Sequence, residues 1–269
     1  MFIEPKDINF SKYKRFFTFG CSFTDYRWPT WSNILREEMS NIEYYNFGSG
    51  GAGNMLISNR IVESNLRFKF NETDLIIVMW STFCREDRWI TNRRWVNPGN
   101  IFTQCEYDDE FVQKYADPTG YLIRDMALIT LANNYLENNI FDSVSLMSVP
   151  INFQQDSNDS TVKDVIKLYS SIINSMPESL FVLEMNNEWG MGHVYYNIEM
   201  DPTQTKLFKD YHPNPSRYCQ YLRKIGFNLS ESTINYAEKF TNILKSSIID
   251  PKIRPEFDLQ RYYTKSLRF

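Results

Sequence analysis

Ser22 and His212 are the residues of this chain best suited, by type and context, to do chemistry together. Ser22 lies in Gly20-Cys21-Ser22-Phe23-Thr24, directly after the apolar run Arg15-Phe16-Phe17-Thr18. A serine on a tight turn after a strand is a candidate nucleophile, and its hydroxyl becomes effective once a neighbouring base takes the proton. His212 lies in Asp210-Tyr211-His212-Pro213-Asn214. There Asp210 is a candidate orienter, because a carboxylate beside an imidazole fixes its tautomer and stabilises its charged form. The sequence holds 2 histidines, so few imidazoles can serve as the base. His193, with Glu188 as its partner, is the competing base, but the Asp/His pair fits the chain order better. Taken singly, the first stretch also reads as a turn with a capping serine, and the second as a surface loop.

Two further stretches complement these. Asn46-Phe47-Gly48-Ser49-Gly50-Gly51-Ala52-Gly53-Asn54 follows an apolar run and opens a helix. Bare backbone N–H groups at a helix start stabilise a negative oxygen. Phosphate cradling is an alternative, but neither Gly-Lys-Ser/Thr nor the G-x-G-x-x-G spacing is present. The stretch carrying Arg85, Arg88, Trp89, Arg93, Arg94 and Trp95 mixes guanidinium and aromatic groups, which suit sugar rings or acidic groups. Arg85 and Trp89 are its candidate substrate-binding residues. An oligomer contact or a folded lid would draw on the same residues.

These residues need a scaffold. Apolar runs predict strands at 14–19, 43–47, 75–80, 143–149 and 180–185. Helical patterns fall at 30–39, 54–70, 121–136, 162–173, 215–225 and 230–248. Residues 84–118 read as an irregular insertion, 186–209 as a long loop region, and 249–269 as a basic, aromatic tail without assignment. Five strands alternating with helices predict an α/β fold, one parallel sheet covered on both faces, in a single domain over 1–269. Ligands of such sheets bind at the carboxyl ends of the strands. Ser22 and residues 48–53, 81–85 and 186–188 then share one rim.

Composition narrows the class. Hydrophobic residues make up 42% and aromatics 16%, enough for a sizeable core. A net charge of −4 lacks the basic surplus of a nucleic-acid binder. Cys21, Cys84, Cys105 and Cys219 are scattered, which argues against a disulfide framework or a zinc site. No apolar run approaches the roughly 20 residues that span a bilayer. Residues 1–7 show no basic-then-apolar signal pattern. The expectation is a cytoplasmic protein, or one released from a cell or virus.

Together the three blocks resemble the SGNH, or GDSL-like, hydrolase family. Gly20-Cys21-Ser22 stands where the family has Gly-Asp-Ser. Asn46 and Gly51 match its Asn and oxyanion glycine, and Asp210 with His212-Pro213 matches its last block. The resemblance runs through the whole chain in order and implies a flavodoxin-like three-layer α/β/α fold. It also implies ester hydrolysis by Ser22, His212 and Asp210, with the Ser22 and Gly51 N–H groups binding the oxyanion and no metal or organic cofactor. The chain departs from the pattern at Cys21, at the two-residue Asp/His spacing, and at Trp80-Ser81-Thr82-Phe83, where the family's third-block Asn has no counterpart. Ser81 or Thr82 would supply a hydroxyl in its stead. Family habit and the aromatic stretch favour a small acyl ester as substrate, such as an O-acetyl group on a glycan. An acyltransferase on the same fold, and a binding or structural protein that keeps the fold without chemistry, are the alternatives.

Overall fold

Aromatic residues in register knit the first two strands together. The computed structural model describes residues 3–39, 41–91, 94–103, 107–150, 158–185, 194–201, 204–210 and 212–247, with 194–209 and 246–247 in backbone only. Strand β1 (Arg15–Gly20) is followed by helix α1 (Trp31–Glu37) and the parallel strand β2 (Glu43–Gly48). Phe16 pairs with Tyr44, Phe17 with Tyr45 and Phe19 with Phe47. Each pair also stacks, with ring centroids 5.5, 4.7 and 5.3 Å apart. Such cross-strand pairs fix register, because a slip of one residue would send every ring to the other face.

Helix α2 (Asn54–Phe68) leads to strand β3 (Asp74–Trp80), every residue of which is buried. A strand packed on both faces needs such a continuous apolar run. Next come the short antiparallel strands β4 (Arg88–Ile90) and β5 (Arg94–Val96), then helices α3 (Asp109–Tyr115) and α4 (Pro118–Glu137). Strand β6 (Asp142–Met147), helices α5 (Ser160–Leu168), α6 (Ser170–Asn174) and α7 (Leu180–Met185), and the hairpin β7 (Val194–Asp201) and β8 (Gln204–Asp210) follow. Helices α8 (Pro215–Lys224) and α9 (Glu231–Ser247) close the described chain.

The main sheet has the order β2-β1-β3-β6, with all pairs parallel. The chain steps from β1 out to β2, then back across β1 to β3. Right-handed crossovers therefore place α1 on one face and α2 and α4 on the other. In agreement, α1 packs with α8 and α9, while α2 packs with α4, and α4 with α5. The three-layer α/β/α fold predicted for this chain is present.

Among the described residues, four strands form this sheet, where five were expected. The run Leu180-Phe181-Val182-Leu183-Glu184-Met185 is helix α7. A short apolar run does not by itself distinguish a strand from a buried helical turn. Here Ser179 decides: its carbonyl accepts from Leu183 N (3.1 Å) and its hydroxyl from Val182 N (3.3 Å). Leu180, Phe181, Glu184 and Met185 are the buried residues, the one-sided spacing of a helix. Glu184 stays on that face because Lys224 and Arg217 reach it at 2.9 and 3.4 Å. The expected loop at 186–209 is likewise corrected, since its described part is the β7/β8 hairpin. The insertion at 84–118 contains the β4/β5 hairpin and α3. The predicted helix at 162–173 is divided into α5 and α6. The tail at 249–269 lies outside the described residues, and among those described no helix is long and apolar enough to cross a membrane.

Candidate active site

Ser22 is held by the backbone around it. The Cys21 carbonyl accepts from Thr24 N (2.9 Å) and Asp25 N (3.2 Å), so the chain enters a helical turn immediately after β1. The Thr24 carbonyl accepts from the Thr30 hydroxyl (2.7 Å), the Ser32 hydroxyl (2.8 Å) and Asn46 Nδ2 (3.1 Å). Three donors on one oxygen leave the turn little freedom. Gly20 is required by close approach, because a Cβ there would lie 2.0 Å from Thr24 Oγ1. Cys21, which precedes Ser22, is fully buried.

His212 meets Ser22 across the rim of the sheet. Its Nε2 lies 2.7 Å from Ser22 Oγ, and its Nδ1 lies 2.7 Å from Asp210 Oδ1. The two-residue spacing works because the Asp210 side chain turns back on its own backbone. Oδ1 also accepts from His212 N at 2.9 Å, an Asx turn that brings imidazole and carboxylate together. Burial favours the neutral form of Asp210, but hydrogen bonds from His212 and Tyr26 outweigh it and hold its carboxyl below the usual range. An ionised Asp210 can only accept, so the proton between them belongs on Nδ1. The Nε2 lone pair then faces the Ser22 hydroxyl.

Sequence reading missed the aromatic residues around this imidazole. Tyr26 stacks on His212 with centroids 3.7 Å apart and planes 19° apart, and its hydroxyl donates to Asp210 Oδ2 at 2.5 Å. Phe23 lies 5.2 Å from the imidazole, and Trp28 stands edge-on to it at 6.4 Å. Trp28 Nε1 donates to the Pro213 carbonyl at 2.8 Å. An aromatic cluster one to six residues after a serine carries no sequence signal that sets it apart from core.

The glycine loop lies at the end of β2, on the same rim as the end of β1. Ala52 N donates to the Ser49 carbonyl at 3.1 Å and Gly51 has φ +77°, so the loop is a turn that needs a positive φ at its third residue. Among the described residues, neither the Ser22 N–H nor the Gly51 N–H has a protein acceptor. A Cβ on Gly51 would fall 2.2 Å from the Asn97 carbonyl. Gly51→Ala should therefore cost about 1–3 kcal/mol from the backbone alone, with the clash adding to it. Urea unfolding measures this, and an alanine variant of undiminished stability would contradict the geometry.

Behind the loop sits a buried polar network that sequence reading also missed. Asn54 brackets Ser81, accepting from its N–H at 2.9 Å and donating to its carbonyl at 3.1 Å. It also donates to Asp125 Oδ2 at 3.0 Å. Burial pushes Asp125 up to about 6, against the pull of Arg124. Asp87 caps α2, accepting from Gly53 N and Leu56 N at 2.9 Å each. Ser81 Oγ is buried without a hydrogen-bond partner among the described residues, and Thr82 is buried beside it in sequence.

The expected substrate residues divide. Arg85 turns inward, donating to the Ala52 carbonyl at 2.9 Å, and so braces the glycine loop. Trp89 is 42% exposed on the β4/β5 hairpin and meets Trp95 edge-on at 5.9 Å. That hairpin is tied to the glycine loop, since Asn97 Nδ2 donates to the Gly50 carbonyl at 2.6 Å. His193, Arg93 and residues 186–188 lie outside the described residues. Among the described residues, no group of His, Cys, Asp and Glu is arranged to hold a metal ion.

No protein-family model matches the chain, and no curated protein matches it. Solved structures do resemble it. An acetylxylan esterase from Geobacillus stearothermophilus aligns over 83% of this chain and 100% of its own, at 14% identity and a TM-score of 0.43. A putative lipolytic protein of the G-D-S-L family from Desulfitobacterium hafniense DCB-2 aligns over 79% of this chain and 97% of its own, at 15% identity and a TM-score of 0.41. A member of that family from Veillonella parvula DSM 2008 aligns over 78% and 94%, at 16% identity and a TM-score of 0.39. The solved structures that this chain resembles thus include lipolytic proteins of the G-D-S-L family, the family that its three sequence blocks resemble.

Proposed function

We propose that the chain is a serine esterase in which Ser22, His212 and Asp210 form the catalytic relay. The observation that carries this reading is the unbroken line from Ser22 Oγ through the imidazole to the Asp210 carboxylate, with 2.7 Å at each step. His212 Nε2 takes the Ser22 proton as Oγ attacks the ester carbonyl, and the imidazolium is stabilised by Asp210. The tetrahedral oxyanion is bound by the Ser22 and Gly51 N–H groups, with a Ser81 or Thr82 hydroxyl in place of the family's Asn. Collapse of that intermediate returns the proton to the leaving alcohol. Water, deprotonated by the same imidazole, then cleaves the acyl-enzyme and frees Ser22.

The substrate on this reading is a small acyl ester, with an O-acetyl group on a glycan as the specific case. Trp89 supports the glycan: it offers an exposed aromatic face on a hairpin fastened to the glycine loop. Acetate release from p-nitrophenyl acetate and from an acetylated oligosaccharide tests both levels. Trp89→Ala should raise KM for the oligosaccharide about tenfold, the usual scale for one stacking contact, while turnover of p-nitrophenyl acetate holds. Equal KM for both proteins on the oligosaccharide removes the glycan assignment, and no acetate release from either ester removes the esterase.

A further inference from the structure

We propose that Tyr26 is a positioning residue of this site, its phenol holding the outer oxygen of Asp210 while its ring sets the plane of the His212 imidazole. The inference rests on the relay reading above and adds a member to it. Asp210 is 2% exposed, so water does not serve its carboxylate. Oδ1 accepts from the Nδ1–H and N–H of His212, and Oδ2 accepts from Tyr26 O–H at 2.5 Å. A buried carboxylate oxygen without a donor is costly, and a carboxylate gripped on one oxygen only can rotate. With both oxygens gripped, its plane is fixed, and the Nδ1–H bond is fixed with it.

The ring does a second job. Tyr26 lies against the imidazole at 3.7 Å and stands edge-on to Trp28 at 4.6 Å and 83°. Trp28 in turn holds the Pro213 carbonyl, so the segment after β1 clasps the loop that carries His212 from two sides. Ser22 belongs to that same segment, and the Thr24 carbonyl anchors it. Nucleophile, clamp and base are therefore referenced to one short stretch of backbone, which is how a site keeps its geometry without substrate.

Ionisable groups that face Asp210 include His212 beside it in sequence, Tyr26 on the turn after β1, and Tyr218 on α8. Tyr218 is fully buried, and burial first, then neighbouring Cys21 and the Asp210 charge, keep its phenol neutral. The Tyr26 hydroxyl stabilises the ionised form of Asp210, so this contribution is present above the ordinary carboxylate value and is lost as the pH falls through the folded-state value.

Tyr26→Phe keeps the ring and removes the donor. Thermal melts should show a lower Tm for Tyr26→Phe at pH 7, and the gap should close as the pH falls below about 4. In an Asp210→Asn background the same change should lose its pH dependence. On p-nitrophenyl acetate, kcat should fall about tenfold with KM within about twofold, and the acid limb of kcat/KM should move to higher pH. A Tm gap of constant size from pH 3 to 7 with an unmoved acid limb would assign Tyr26 to packing alone and overturn the proposal. The melts need no turnover, so they decide the role of Tyr26 even if the ester is not a substrate.

Discussion

Ser22→Ala should lower kcat for p-nitrophenyl acetate by roughly 10⁴-fold or more, and leave Tm within about 2 °C of the parent. The first expectation follows from the loss of the attacking oxygen, which nothing else on the turn replaces. The second follows from how the turn is built. Its anchors are the Cys21 and Thr24 carbonyls, and alanine leaves both in place. The Ser22 hydroxyl bonds to His212 Nε2, and imidazole left without it is half-buried and can meet water. A variant that turns over at the parent rate would remove Ser22 as nucleophile.

Asp210→Asn should cost about 10⁴-fold in kcat while keeping the shape of the loop. The amide can still accept from His212 N, but it no longer requires the proton to sit on Nδ1, so the Nε2 lone pair is not guaranteed to face Ser22. His212→Ala should reach a similar floor, and Ser22→Ala/His212→Ala should be little worse than either change alone, since members of one relay are not additive. His193→Ala should be much milder. Steady-state kinetics of these variants on one ester check all four statements. If His193→Ala proves the more damaging, the base is the other histidine.

The sequence carried the parts of this protein that depend on local pattern. A glycine before a serine, four glycines before a helix and an Asp close to a His are local signals, and the parallel sheet follows from apolar runs alternating with helices. What sequence could not carry was partner choice over long range. Tyr26 meets Asp210 across 184 positions, and nothing in Asp25-Tyr26-Arg27 marks it. Asn54, Asp87 and Asp125 read as ordinary polar residues, because each becomes special only through a buried partner supplied by another element. The misread fifth strand has a different cause. Leu180 to Leu183 are apolar without period, so the outcome turned on whether Ser179 caps a helix, which is a matter of a few hydrogen bonds. Arg85 shows a further limit: nothing near it in sequence marks that one of its guanidinium N–H groups reaches the Ala52 carbonyl.

If His212 activates Ser22, the serine will be open to covalent capture. A fluorophosphonate reacts with a serine oxygen only when a base has raised its nucleophilicity, since an ordinary serine hydroxyl is too weak. Incubation of the intact chain followed by peptide mass spectrometry should find one phosphonyl adduct, on the peptide that contains Ser22. The adduct should vanish in Ser22→Ala and form far more slowly in His212→Ala. No adduct on the parent chain, or an adduct on another serine that persists in Ser22→Ala, would contradict the account.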